Sequence, residues 1–544
     1  MIIQTIPMKK LIYLFLFSVL LSSCGVTEKS SNKTNVKTQS GEISGVFSND
    51  IYTYKGIPYA KAERFMAPEP PTPWTGIKKA LDYGPAAPQL KPSATGISAK
   101  MGPGESEDCQ TLNVWTPEIN GKGKRPVIVW LHGGGYRTGS SFEQPCYDGE
   151  NLSRKGDMVV VSVTHRLNAL GFLNLAKYGE KYAASGNVGL LDIVAALRWV
   201  NQNIKNFGGD PDNVTIFGQS GGGGKVTNLM AMPDAVPLFH KAIVESGSLN
   251  TSMAPRYSGM IADSVLNRLH IAPKNIDEIQ NVPYEQLMMA GEAIIPKIKQ
   301  IATQEGFVIY QFGWCPTVDG TIIPEQPFDG KAPEISKDIP MIIGTTKNEF
   351  NSFYSPVNDT TMENIRVFLE RSYGDKTDEY IKDFAKAYPD YQLMDLIQQD
   401  MIFRTAAVDE GTWKAEQAEE GGAPVYMYMF NWESKDNPLR AFHCLELPFV
   451  FDNISMDTSL VMGPLNVDID DSEKTLQLAD NMSQAWINFA HNGNPDVPGK
   501  LPEWDPYTPE NGATMIFDRD CKVVYNHDKK LMAFMKDFPF PGFD

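Results

Sequence analysis

Apolar residues recur along this chain in three rhythms, and each predicts a kind of element. Near-continuous apolar runs stand at 126–131, 158–163, 214–217, 241–244, 340–344 and 425–430. Runs this short with no polar alternation are the mark of strands covered on both faces. The gaps between them leave room for helices, so the runs predict an α/β fold, a mainly parallel central sheet flanked by helices. The second rhythm is helical: 190–200 repeats apolar residues at helical spacing, which predicts a core helix. Residues 250–335 and 355–422 are mostly helix-patterned, and are expected to be insertions roofing the sheet's carboxyl edge. The third is strict alternation over 41–66, which suits antiparallel edge strands. From 84 to 106 the chain is rich in Pro, Gly, Ser and Lys, and is expected to be a surface loop near the mouth of a site.

The front of the chain follows none of these rhythms. Lys9 and Lys10 precede an apolar run at 11–21, then Ser22-Ser23-Cys24. The run is too short to cross a bilayer as a helix, which takes about 20 residues. It predicts an export signal over 1–23, with Met8 an ordinary alternative start. Leu21-Ser22-Ser23-Cys24 resembles a bacterial lipobox, which implies lipidation at Cys24 and a lipoprotein tethered in the cell envelope. The polar stretch 24–40 suits a flexible tether. No hinge-like segment, charge block or repeat interrupts 41–544, so a single large domain is expected there.

Composition narrows the partners. A formal net charge of −17 and a pI near 5.0 disfavour nucleic acid and anionic lipid surfaces, whose phosphates would be repelled. The only membrane contact expected is the N-terminal lipid anchor. Six cysteines are present without a C-x-x-C pair, and with Cys24 modified at least one of the other five must stay free. Neither H-E-x-x-H nor an acidic calcium loop occurs, so no metal or cofactor is implied. Oligomeric state is left open.

The candidate chemistry centres on Phe217-Gly218-Gln219-Ser220-Gly221-Gly222-Gly223-Gly224, directly after the run 213–216. Glycines two residues to either side of a serine permit the sharp strand-to-helix turn that lifts a nucleophilic hydroxyl clear of a sheet. A phosphate-binding loop is the competitor, but it requires glycine at Gln219 and Ser or Thr at Val226. Ser220 is therefore the candidate nucleophile. A serine hydroxyl needs a base within hydrogen-bond reach and a carboxylate to orient that base. Seven histidines are available.

The run from Phe207-Gly208-Gly209-Asp210-Pro211 through Ser220-Gly221-Gly222 resembles the nucleophile signature of type-B carboxylesterases, a branch of the α/β-hydrolases. Glu107-Asp108-Cys109-Gln110-Thr111-Leu112-Asn113-Val114-Trp115 is similar to that family's second signature, with Gln110 where Leu is usual. The resemblance spans about 41–540. It implies His443, in Ala441-Phe442-His443-Cys444-Leu445-Glu446, as the base, and Glu349, in Thr346-Lys347-Asn348-Glu349-Phe350, as the acid. By the same resemblance Gly134, Gly135 and Gly221 supply an oxyanion hole, and Arg166 and Asp192 form a buried ion pair. The family's disulfide from the Cys109 position has no partner cysteine before Pro88-Gln89, so it is absent or rerouted. Cys444 stands where glycine or alanine is common, and Gln219 where glutamate is. The loop after Tyr83 lacks the tryptophan on which cholinesterases stack a quaternary ammonium.

Together these imply a serine hydrolase that cleaves small carboxylic esters through an acyl-enzyme. A rival expectation is a binding or adhesion protein of the same fold, since fold does not imply function. An amidase, a lactonase or a deacylase of polysaccharide or phenolic esters would use the same machinery.

Overall fold

The computed structural model describes residues 34–90, 103–121, 123–306, 313–349, 361–398, 403–434, 440–456 and 469–538. The fold opens with β1 (Asn35–Thr38), β2 (Gly41–Ser44), β3 (Val46–Ser48), β4 (Ile51–Pro58) and β5 (Ile77–Lys79). Then come β6 (Thr111–Thr116), β7 (Arg125–Leu131), β8 (Val159–Val163), β9 (Gly209–Gln219), β10 (Lys241–Glu245), β11 (Met341–Thr346), β12 (Val425–Phe430), β13 (Thr514–Phe517) and β14 (Lys522–Val524). An 11-stranded sheet runs in the order β14-β13-β12-β11-β10-β9-β7-β8-β6-β4-β3. Its middle, from β13 to β8, is parallel, and antiparallel strands close both ends. All six buried runs read from the sequence are strands of that parallel middle.

Burial on both faces follows from the two-residue period of a strand. On β7, Val127, Val129 and Leu131 enter one core while Ile128 and Trp130 enter the other. The expected helix spans Val188–Asn203 and seals the first core with Leu190, Ile193, Val194 and Leu197. Helix Glu473–Asn492 seals the second with Leu478, Met482, Trp486 and Phe489. Arg166 and Asp192 form the buried pair that the resemblance implied, at 2.7 Å. Gln110, where Leu is usual, is buried against the same carboxylate, with its amide 3.5 Å from Asp192 Oδ2.

Three expectations need correction. Strand β1 lies inside the stretch 24–40 expected to be a flexible tether, because it pairs along its length with β2 in a separate sheet of order β1-β2-β5. Residues 313–339 are irregular apart from a 3-10 turn at Glu334–Ser336. Prolines 316, 324, 327 and 333 interrupt any helix there, while Trp314, Cys315, Ile323 and Phe328 are buried without one. In the second insertion, helices Met362–Tyr373 and Thr377–Ala387 share a core with helix Lys529–Asp537, Met429 of β12 and Ile516 of β13. Those helices cover a sheet face. Cys109, Cys146, Cys315, Cys444 and Cys521 are all free, whereas Cys24 lies outside the described residues.

The order of strands decides where a site can form. After β7 the chain steps outward to β8, then returns to the other side of β7 as β9 and continues away through β10, β11 and β12. Loops leaving neighbouring strands in opposite directions open a crevice at the carboxyl ends of β7 and β9.

Candidate active site

Leu131 pairs with Gly218, so the segments that follow β7 and β9 emerge side by side. One is the glycine run His132-Gly133-Gly134-Gly135; the other is the elbow at Ser220. Ser220 has φ +58° and ψ −126°, a conformation an L-residue adopts only under constraint. The constraint is visible on both sides of it. Its amide donates to the Glu245 carbonyl at the end of β10, at 2.8 Å, and helix Gly221–Leu229 begins with the next residue.

The elbow and the glycine run touch through backbone. A Cβ on Gly221 would lie 2.6 Å from the Gly135 nitrogen, and one on Gly133 would meet Ser220 Cβ at 3.4 Å. Gly134 and Gly135 both occupy the left-handed region, at φ +86° and +58°. The turn is closed by the Arg137 and Thr138 amides, which donate to the Gly134 carbonyl at 3.0 and 3.1 Å. Among the described residues, the amides of Gly134, Gly135 and Gly221 donate to no backbone carbonyl. Three N–H groups at one backbone contact can receive a developing negative charge.

The acid and the base come from the ends of β11 and β12. Glu349 follows β11 by three residues, and His443 lies thirteen after the end of β12. Two backbone hydrogen bonds lock their loops together: Asn348 N–H to the Ala441 carbonyl at 2.9 Å and His443 N–H to the Glu349 carbonyl at 2.7 Å. The Thr346 amide donates to Glu349 Oε1 at 2.9 Å, which leaves Oε2 to accept from His443 Nδ1 at 2.5 Å. A carboxylate at Nδ1 assigns the proton to that nitrogen and makes Nε2 the acceptor, the tautomer a serine needs. Both side chains are buried, Glu349 1% and His443 4% exposed.

Gln219, immediately before Ser220, brings the imidazole to the elbow. Its amide nitrogen lies 3.4 Å from Nδ1 and 3.3 Å from Nε2, so it stands over the ring face. On the other side the Cys444 thiol donates to Gln219 Oε1 at 3.2 Å. Cys444 has φ +75°, which explains why glycine would be the easy choice at this position. Burial pushes the thiol well above 9, so it is held as an S–H donor rather than a nucleophile. Phe403, the first residue of helix Phe403–Glu419, stacks on the His443 ring at 5.5 Å and 13°.

Two further carboxyls sit behind the site. Burial raises Glu245 to about 8, against the donated Trp486 Nε1–H at 2.6 Å. Burial also raises Glu446 well above the usual carboxylate range, followed by the charges of Glu349 and Glu245. Kept protonated at neutral pH, Glu245 adds no negative charge beside the Glu349–His443 pair. Phe403, Glu245 and Glu446 are the neighbours that reasoning from the sequence missed. Phe403 and Glu245 belong to no motif and only the fold brings them to the site, while Glu446 lies in the histidine loop, where the resemblance gave it no role.

Residues 32–535 match the model of the carboxylesterase family. The chain is 37% identical over 513 residues to a para-nitrobenzyl esterase of Bacillus subtilis, covering 93% of this chain and 99% of that one. It is 32% identical to a phenmedipham hydrolase of Pseudarthrobacter oxydans, covering 88% and 94%. Among solved structures it is similar to an esterase of Clostridium hathewayi that can hydrolyze aliphatic aromatic polyesters, with a TM-score of 0.80 and 36% identity over 93% of this chain and 98% of that one.

Proposed function

The chain belongs to the carboxylesterase family and is a carboxylic ester hydrolase, and from that premise we propose that Ser220, His443 and Glu349 carry its reaction. The observation that carries the assignment is the 2.5 Å contact of Glu349 with His443 Nδ1, beside a serine held at φ +58°. Ser220 Oγ attacks the ester carbonyl carbon and gives its proton to His443 Nε2. The carbonyl oxygen takes up the negative charge and is held by the amides of Gly134, Gly135 and Gly221. Collapse breaks the bond to the alkoxide, which leaves as alcohol with the proton from His443. Water then repeats the sequence on the acyl-serine and releases the acid. Glu349 orients the ring and balances its charge while it is protonated.

The names of the relatives support a choice of first substrates. Small esters with an aromatic group in the acid or alcohol part, p-nitrobenzyl esters among them, are the first to try. Replacing Ser220 with Ala should leave the fold intact and remove hydrolysis of p-nitrobenzyl acetate together with covalent labelling by a fluorophosphonate. Turnover retained by that variant would place the nucleophile elsewhere.

The front of the chain is read as the address of an exported lipoprotein, cleaved before Cys24 and lipidated there, held at the bacterial cell envelope. What supports this is the basic pair Lys9-Lys10, the short apolar run and Leu21-Ser22-Ser23-Cys24. Cys24→Ala should move the protein from the membrane fraction to the soluble one, and membrane retention after processing would refute the anchor.

A further inference from the structure

A lysine lies under the glycine run, and the reaction as assigned has no use for it. Lys225 stands one turn into helix Gly221–Leu229 and has no exposed surface. Its Nζ donates to the carbonyl oxygen of His132 at 2.6 Å. That carbonyl belongs to the peptide joining His132 to Gly133, the entry to the turn whose next two amides face the elbow. Nζ also lies 5.7 Å from the centroid of the Tyr136 ring, at the turn's far end. Asn228, on the same helix face, donates to the Tyr136 hydroxyl at 3.2 Å. A Cβ on Gly224 would sit 2.9 Å from that hydroxyl, so the helix and the turn are flush.

The surroundings give Lys225 little reason to be charged. Among the described residues no salt bridge pairs Lys225 with an acid; burial lowers Lys225 to about 7 against the opposing charge of Glu143, which burial itself raises to about 7. The His132 and His165 rings stack at 5.0 Å, and burial, followed by the Lys225 charge, holds both well below 6.5, so they stand beside the amine as neutral rings. An apolar side chain of similar length would fill this space without the cost of dehydrating an amine. What it could not supply is a donor for the His132 carbonyl.

We propose that Lys225 is a positioning residue of the oxyanion hole, fixing the His132–Gly133 peptide and through it the amides of Gly134 and Gly135. This rests on the assignment of those amides as the hole. A glycine turn has many accessible backbone conformations, and donors stabilise an oxyanion only when they are already in place. The turn is tied at one end by the Arg137 and Thr138 amides on the Gly134 carbonyl. Lys225 ties the other.

The test compares Lys225→Met and Lys225→Gln with the native enzyme on p-nitrobenzyl acetate, and on a trifluoromethyl ketone that Ser220 converts to a bound oxyanion. In the Met variant kcat should fall about 10- to 100-fold, as for a weakened oxyanion donor, with KM within about threefold. Affinity for the trifluoromethyl ketone should fall by the same factor, while the methyl ketone of the same shape binds as before. Lys225→Gln keeps a donor and should recover most of the loss. A Met variant folded as the native enzyme, with kcat and trifluoromethyl ketone affinity both within twofold, would overturn the proposal. The same criteria apply to Lys225→Ala should the Met variant not fold. Failure of the native enzyme to take a fluorophosphonate label at Ser220 would instead overturn the site assignment beneath it.

Discussion

Ser220 owes its position to backbone: one hydrogen bond from its amide, a helix starting at the next residue, and glycines wherever the turn after β7 comes close. Gln219 shows how much a single side chain then adds. A neutral amide over the imidazole, itself held by the Cys444 thiol, contributes a dipole where a glutamate would contribute a full charge. A carboxylate there would attract a cationic alcohol group arriving at Ser220, while a neutral ester would feel little. At an effective dielectric near 20, one added charge several ångströms from the substrate is worth about 1.4 kcal/mol or more. Gln219→Glu should therefore raise kcat/KM for a quaternary ammonium ester roughly tenfold relative to a neutral ester of the same shape. Steady-state kinetics on the matched pair decide it, and an unchanged ratio would separate the residue before the nucleophile from charge selection.

At the level of elements, what could be read in the sequence was what has a short signature. A buried strand announces itself by composition, and the elbow and the glycine turn need glycine at fixed spacings, so β7, β9 and the segments following them were legible. His443 and Glu349 became legible through the motif they match, since neither loop has a periodicity of its own. Helix Phe403–Glu419 lies in an insertion without a motif, and its contact with His443 through Phe403 could not have been read. That helix is tied down one residue later. Arg404 donates to Asp528 Oδ2 at 2.8 Å, with the two side chains 2% and 7% exposed. The Arg404 charge holds Asp528 down to about 2, against the rise that burial alone would cause. A carboxyl depressed in the folded state contributes stability that is present above its unfolded value near 3.8 and is lost as pH falls through about 2. Asp528→Asn leaves Arg404 buried without its counter-ion, and should cost about 3–5 kcal/mol at neutral pH. Denaturant unfolding should show that loss at pH 7 and a smaller difference from the native protein below pH 3. Because the Phe403 stack rides on the same helix end, kcat should fall with it.

Across the whole molecule, the site is the place where the parallel sheet changes direction, and the sheet's second core reaches it through buried acids. Glu245 ends β10, its carbonyl holds the Ser220 amide, and its side chain accepts from Trp486 of the helix Glu473–Asn492. One residue thus couples the elbow to the layer that covers the opposite face from the helix Val188–Asn203. With burial raising it to about 8, Glu245 is protonated in the folded enzyme at pH values where the unfolded chain has lost that proton. The sign is then opposite to that of Asp528. Its contribution is present below the unfolded value near 4.5 and is lost as pH rises through about 8, because above that the protein must bury a carboxylate or unfold. Glu245→Gln keeps an oxygen for the Trp486 N–H and removes the ionisation. Its melting temperature at pH 9 should exceed that of the native enzyme by a few degrees, with a much smaller difference at pH 5, and activity should persist further into the alkaline range. A melting-temperature difference that does not depend on pH would mean that Glu245 holds no extra proton in the folded enzyme, and would refute its role in the alkaline limit of the fold.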